Sequence, residues 1–196
     1  MTISADLVKE LREKTGVGLM ECKSALTESN GNVEEAVTIL RKRGLASLAK
    51  KSGRETKEGS IGAYIHNGKI GVMVEVNCET DFVARNPDFQ ALVKDIAMHI
   101  AASDPRFISK ENVTEDVLAR EREIYAEQAR GSGKAENILD KIVEGRIAKY
   151  YSEACLLEQP FVKDPATTVR NHIASYIQKI GENIQVRRFV RYKLGE

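Results

Sequence analysis

Cysteine and histidine are the side chains in this sequence best suited to covalent or metal chemistry, and neither is placed for it. Cys22, Cys78 and Cys155 are an odd number of thiols, far apart and without Cys-x-x-Cys spacing. That is the usage of reduced, mostly buried thiols in a cytoplasmic protein rather than of a disulfide framework. His66, His99 and His172 are equally scattered, so a zinc site would need chance convergence in the fold, and no metal is expected. Only Cys78 and His66, on neighbouring predicted strands, invite a nucleophile pair. The hairpin expected there sets residue 66 opposite 69 and leaves residue 78 about nine residues further on, roughly 30 Å away at ~3.4 Å per residue. Carboxylate neighbours such as Glu34-Glu35 and Glu121-Glu123 lie on predicted helices among basic residues, the setting of a solvated face rather than an acid–base pair. GKAENIL and GKIGVMV lack the GxxxxGK[ST] pattern that cradles phosphates. The residues point to a binding protein with no cofactor, not to an enzyme.

One short stretch resists a bland account. CETDFVAR at 78–85 follows a run of alternating apolar residues, then breaks into a threonine, a bare carboxylate and a phenylalanine before Asn86-Pro87. Two readings stand. Thr80 caps a short helix and Phe82 fills the protein's own core, or Asp81 and Phe82 form a stiff acid-and-aromatic prong at the end of a strand.

The elements that would hold this stretch can be read around it. Residues 4–44 predict three short helices. Ser4 caps the first, which carries Leu7, Val8 and Leu11 inward and ends at Thr15-Gly16. The second buries Cys22, Ala25 and Leu26 and stops at Asn30-Gly31. Asn32 with Glu35 opens the third, whose stripe is Val33, Ala36, Val37 and Leu40, with Gly44 expected just past its end. So small a core suits a docking module.

Between Arg41 and Lys57 seven basic residues stand against one acidic. The segment reads as a solvated helix end and flexible linker, or as a patch facing an acidic partner. An RNA-binding arm is the poorer reading, because no aromatic residue sits among the basic ones to stack on bases.

IGAYI-HNGK-IGVMVEVN places Asn67-Gly68 between two alternating runs, a two-residue hairpin signal. That turn pairs Ile65 with Ile70, Ala63 with Val72 and Ile61 with Val74 on one face. A helix follows from Asn86-Pro87 through Phe89, Leu92, Val93, Ile96 and Ile100 to Asp104-Pro105. Residues 114–130 and 135–153 predict a helical hairpin broken at GSG, with Val117, Leu118, Ile124 and Tyr125 facing Ile138, Ile142, Ile147 and Tyr150. Asp164-Pro165 is expected to start a helix bearing Val169, Ile173, Ile177 and Ile180 and closed by Gly181. IQVRRFVRYKL then reads as a third strand beside the hairpin, although Arg188 breaks its apolar face and Phe189 sits on its polar one.

The expected architecture is α+β. A three-helix domain (1–46) leads through a basic linker (47–59) to a core (60–196), where helices pack a small antiparallel sheet and a helical hairpin projects at about 114–153. The 196 residues carry 30 basic and 29 acidic side chains, a net charge of +1. That near balance disfavours direct nucleic-acid binding, and no apolar run is long enough to span a membrane.

LREKTGVGLMECKSAL at 11–26 and EVNCETDFVARN at 75–86 closely resemble the two signature segments of the bacterial elongation factor Ts family. The resemblance continues through HIAASDPRFI, EGRIAKYYSEACLLEQPFVKD and GENIQVRRFVRYKLG, essentially the whole chain. It implies an N-terminal domain related in shape to ubiquitin-associated domains. It also implies guanine-nucleotide exchange, in which the protein binds elongation factor Tu carrying GDP, expels the nucleotide and lets GTP enter. On matching positions, Asp81 and Phe82 would be the intruding pair, with Thr80 and Val83 completing the segment associated with dislodging magnesium. Arg12, Leu19 and Met20 would belong to the N-terminal contact with the GTPase. Leu19 stands where many relatives carry a second methionine, a swap that keeps the contact apolar. Longer members have a further C-terminal helical segment and two strand–helix sets where this chain has one. Two copies are therefore expected to associate, with the sheet around Phe189 as the interface. The rival functions are a ubiquitin-associated-type adaptor, which leaves the Asp81-Phe82 tip without a task, and an RNA-binding translation accessory.

Overall fold

The computed structural model describes residues 3–131 and 136–196, with side chains from 139 onward in the second segment. Helices α1 (Ala5–Thr15), α2 (Leu19–Glu28) and α3 (Val33–Lys51) open the chain. Their ends follow local chemistry. The Leu7 N–H donates to Ser4 Oγ at 3.3 Å, the Glu35 N–H donates to Asn32 Oδ1 at 3.1 Å, and Gly16 closes α1 at φ +66°. Val8, Leu11, Val17, Cys22, Ala25, Leu26, Ala36 and Leu40 form an apolar cluster of their own.

Helix α3 does not stop at Gly44. It runs on to Lys51, and Gly44 lies buried within it. A Cβ at position 44 would stand 3.2 Å from Gln178 Oε1 and 3.5 Å from the Ala174 carbonyl oxygen. The glycine therefore serves close packing of one helix on another rather than helix termination. Residues 47–51, expected in the linker, are helical, and Leu48 packs on the main core. The basic segment is partly tied down too. Arg43 pairs with Glu28 at 2.7 Å, Lys51 Nζ donates to the Gly181 carbonyl at 2.7 Å, and Arg54 pairs with Glu79 at 3.3 Å.

Strands β1 (Glu58–His66) and β2 (Ile70–Cys78) form the hairpin, and the last strand, β5 (Gln185–Lys193), lies antiparallel on the other side of β2. Asn67 and Gly68 both adopt positive φ, and the Lys69 N–H closes the turn on the His66 carbonyl at 2.9 Å. Pairing resumes one residue later than expected, with His66 opposite Ile70, Tyr64 opposite Val72 and Gly62 opposite Val74. A one-residue slip exchanges the two faces. Ile61 and Ile65, expected inward, stand 63% and 67% exposed, whereas Val72, Val74, Val76 and Cys78 are buried. The reason lies above the sheet. A Cβ on Gly62 would come within 2.4 Å of Val93 Cγ1, so helix α5 (Pro87–Ser103) presses on β1 where only glycine fits.

Strand β5 holds a second correction. Its register shifts against β2 between Glu75 and Val76, pairing Val76 with Val186 but Glu75 with Arg188, so Arg187 is the extra residue of a bulge. Downstream of it the faces swap. Phe189 packs against the main core, and Val190 and Tyr192 point outward. The misplaced Arg188 and Phe189 of the sequence pattern are this bulge.

Between β2 and β5 the chain forms α4 (Asp81–Ala84), α5 (Pro87–Ser103), α6 (Glu115–Arg130) and α7 (Glu136–Ala154), then β3 (Pro160–Phe161), β4 (Asp164–Thr168) and α8 (Val169–Ile180). Asp164-Pro165 starts β4, a short strand paired with β3, not a helix; α8 begins after Thr168, whose Oγ1 accepts the Asn171 N–H. Phe89, Leu92, Val93, Ile96 and Ile100 of α5 are all buried, against the inner sheet face and against Val169, Ile173 and Ile177 of α8. In the α6–α7 pair Leu118, Ile147 and Tyr150 are buried, while Ile124 is exposed; the Ile138 side chain and residues 132–135 of the expected break lie outside what the structure describes. The α+β class stands.

Candidate partner-binding site

Strand β2 delivers the chain to the Thr80–Val83 segment, and short-range chemistry shapes it. Thr80 Oγ1 accepts the Val83 N–H at 3.3 Å, capping the single turn α4. Asn86 Oδ1 accepts the Asp88 N–H at 2.8 Å, Pro87 starts α5, and Gln90 Nε2 donates to the Ala84 carbonyl at 2.6 Å. Both ends of the turn are thereby fixed. Cys78 closes the inner face beneath it. Its thiol donates to the Thr80 carbonyl at 3.2 Å, and burial, assisted by the charge of Glu182, pushes its pKa up to about 11.

Within this turn adjacent side chains part company. Val83 and Ala84 are buried in the main core. Phe82 stands 79% exposed, so the reading in which it fills the protein's own core is set aside, while the capping role of Thr80 holds. Asp81 is also exposed and pairs with Arg85 one helical turn on at 2.9 Å. Such a solvated pair contributes little to stability. Val83 therefore roots the segment from within, and the outward face belongs to Asp81 and Phe82.

The turn is held from behind by residues that sequence reasoning did not single out. Glu182 Oε2 accepts the N–H groups of Glu79 and Thr80, each at 3.0 Å, and Glu182 Oε1 accepts the Thr80 hydroxyl proton at 2.7 Å. In return Glu79 Oε1 accepts the Asn183 N–H at 2.6 Å and an Arg54 N–H at 3.3 Å, and Asn183 Nδ2 donates to the Arg54 carbonyl at 3.0 Å. The only sequence signal was Gly181, which ends α8 at φ +93° and throws the next two residues back toward the sheet.

The N-terminal candidates lie where α1 hands over to α2. Arg12 is exposed in the last turn of α1, and Leu19 and Met20 open α2 at 49% and 78% exposure. The end of α8 reaches this region as well. Gln178 Nε2 donates to Glu21 Oε2 at 3.0 Å, and Lys179 runs alongside Gly16 on its way to Asp88 at 2.7 Å.

Of the remaining chemistry-bearing residues, His99 and His172 both pack on the Phe161 ring, and His172 Nε2 lies 3.5 Å from Asp95 Oδ2. Cys22, Cys78 and Cys155 are buried and unpaired by disulfides. Among the described residues no group of three or more His, Cys, Asp or Glu side chains is placed to hold a metal ion, and no helix is long and apolar enough to cross a membrane. His66 stays at the hairpin tip, its Nδ1 3.2 Å from the Tyr64 hydroxyl.

The family model described as Elongation factor TS matches residues 4–196. The chain belongs to the elongation factor Ts family. The elongation factor Ts of Solibacter usitatus (strain Ellin6076) is 60% identical over 195 residues, which span 99% of this chain and 92% of that protein. That of Geobacter sulfurreducens is 60% identical over 197 residues, with 100% and 91% covered. The elongation factor Ts of Fervidobacterium nodosum is 57% identical, and the match spans all of both chains. Family membership makes the protein a translation elongation factor of the Ts type.

Proposed function

We propose that the chain is a guanine-nucleotide exchange factor for elongation factor Tu. It binds the GDP-bound GTPase, deforms its magnesium and phosphate site, and so promotes GDP release and GTP loading. It makes and breaks no covalent bond, and it works in the cytoplasm. The observation that carries this reading is Phe82, a rigid aromatic ring held out in solvent by a turn that Val83 roots in the core and Glu182 clasps through Thr80.

GDP in such a GTPase is held by backbone N–H groups of a phosphate loop and by Mg²⁺ bridging oxygens. An exchanger need only bind better to the state in which that site is distorted. Phe82 wedged between partner helices gains about 1.5–3 kcal/mol by burial. Asp81 brings a carboxylate that competes for groups ordering the site, once Arg85 releases it. Val83 and Thr80 keep the pair at one angle, so little ordering entropy is lost on docking. Arg12, Leu19 and Met20 supply a second contact on the same GTPase. Coupling is reciprocal, so GDP loosens the exchanger as the exchanger loosens GDP.

A second copy of the chain is the occupant of the outer sheet face. Ile61, Ile65, Met73, Val190 and Tyr192 share that face in water. Phe189 is not part of this face, since it turns inward. The division into a three-helix domain (1–46), a connecting segment and a core (60–196) belongs to the same reading.

The deciding experiment is release of fluorescent GDP from elongation factor Tu with and without this protein. Stimulated release supports the exchanger. An unchanged release rate supports an adaptor or an RNA-binding accessory instead.

A further inference from the structure

We infer that Glu182 is the positioning residue of the Asp81-Phe82 turn, acting through the Thr80 hydroxyl. The inference rests on the exchange function proposed above and names the residue that sets the aim of its wedge.

The argument follows one proton. The Thr80 hydroxyl has one hydrogen and two lone pairs. Glu182 Oε1, 2.7 Å away, takes the hydrogen, which leaves Oγ1 free to accept the Val83 N–H. The carboxylate thus fixes the rotor of the very hydroxyl that caps α4. Its second oxygen holds the N–H groups of residues 79 and 80. Three donors converge on one half-buried carboxylate, and charge-assisted bonds of this kind are short and strong. The carboxylate also has little freedom to drift. Gly181 N–H closes α8 on the Ile177 carbonyl, Lys51 Nζ holds the Gly181 carbonyl, and Asn183 is bonded to Glu79 and Arg54.

The segment 178–183 reaches the other exposed group too. Gln178 bonds Glu21, the neighbour of Met20, while Glu182 bonds Thr80, the neighbour of Asp81. The segment 178–183 therefore sets the register of Phe82 against the Leu19-Met20 edge. The partner meets both at a fixed spacing, and error in that spacing falls on the step that distorts the nucleotide site rather than on first contact.

Glu182→Gln tests this. If its oxygen keeps the two backbone N–H groups, its –NH2 donates to the second lone pair of the Thr80 hydroxyl, so the Thr80 proton loses its acceptor and the charge is gone. The maximal stimulated GDP-release rate is expected to fall about 3- to 5-fold, no further than loss of the Phe82 ring itself would take it. The concentration giving half-maximal stimulation should move less than about threefold. In a Phe82→Ala background the same substitution should cost less than about twofold, because the wedge it aims is absent. Equal losses in both backgrounds, or no loss in either, overturn the inference. A second readout needs no GTPase. Amide hydrogen exchange at Val83 and Ala84 should speed up about tenfold in the isolated variant while α5 amides stay protected. Unchanged exchange at Val83 overturns the clasp. If the unsubstituted chain fails to stimulate GDP release, the exchange function falls, and the amide measurement still decides the role of Glu182. Should Glu182→Gln not fold, Glu182→Asp keeps the charge on a shorter stem, and the same outcomes decide.

Discussion

Phe82 and Val83 are neighbours in the chain and opposites in environment: the first is 79% exposed, the second 5%. The pair separates contact from support by a single substitution each. Phe82→Ala should leave the urea midpoint unchanged and slow stimulated GDP release several-fold. Val83→Ala removes two buried methyl groups and should cost about 2 kcal/mol of stability. Chemical denaturation beside a GDP-release assay reads both. A large loss of stability from Phe82→Ala would make that ring a core residue.

The glycine beneath α5 makes a sharper packing prediction. With 2.4 Å between a Cβ at position 62 and Val93 Cγ1, Gly62→Ala must push the helix off the sheet or twist Val93 from its rotamer. A loss of about 1–3 kcal/mol is expected in urea denaturation. Gly62→Ala with Val93→Ala should recover part of it, and a neutral single variant would contradict the close approach.

Much of the architecture could be read from residue patterns, and the strand faces and Gly44 were misread for one cause. Caps and helix stripes depend on near neighbours in sequence, and Ser4, Asn32, Asn86, Gly16 and Gly181 all do what their types suggest. Strand faces depend on what lies across the sheet. Hydrophobicity alone sent Ile61 and Ile65 inward, but proximity of α5 reserves that side of β1 for Gly62 and Tyr64. Likewise Gly44 looks like a helix stop until α8 is seen against it. At the site, Thr80, Asp81 and Phe82 were legible because they interrupt a pattern. Glu182 was not, since a glutamate after a helix-ending glycine is ordinary until the fold brings it to Thr80.

The outer sheet face gives a prediction about assembly. Met73→Lys and Tyr192→Lys introduce charges among Ile61, Ile65 and Val190, on side chains that the chain's own core does not use. If two copies meet there, sedimentation at micromolar concentration should show a dimer for the unsubstituted chain and a monomer for the double variant. A monomer throughout for the unsubstituted chain would remove this interface.

Acid should weaken the fold through His99. The ring is fully buried. Gln159 Nε2 donates to the Ser103 and Glu153 carbonyls, so its oxygen accepts from His99 Nε2 at 2.9 Å, and His99 Nδ1 accepts the Val162 N–H at 3.2 Å. A second ring proton has nowhere to go. Burial holds the His99 pKa below its ordinary 6.5, against a smaller upward pull from the Gln159 hydrogen bond. Below pH 6.5 the unfolded chain takes up a proton that the folded chain refuses, so stability falls as pH drops through that value toward the folded pKa. The slope attributable to this group is at most about 1.4 kcal/mol per pH unit. Urea denaturation at pH 7.5 and 5.5 should show the loss, and His99→Gln should flatten it.

The unbroken run of α3 into the core has a kinetic consequence. Feet joined by a slack tether land one after the other, and the second landing depends on how often the tether brings it near. Here Leu19-Met20 and Phe82 ride one stiff frame, from Gly44 against Ala174 to Lys51 on Gly181. If both are the partner contacts proposed above, they arrive in a single collision and leave together, with no half-detached state in which to wait.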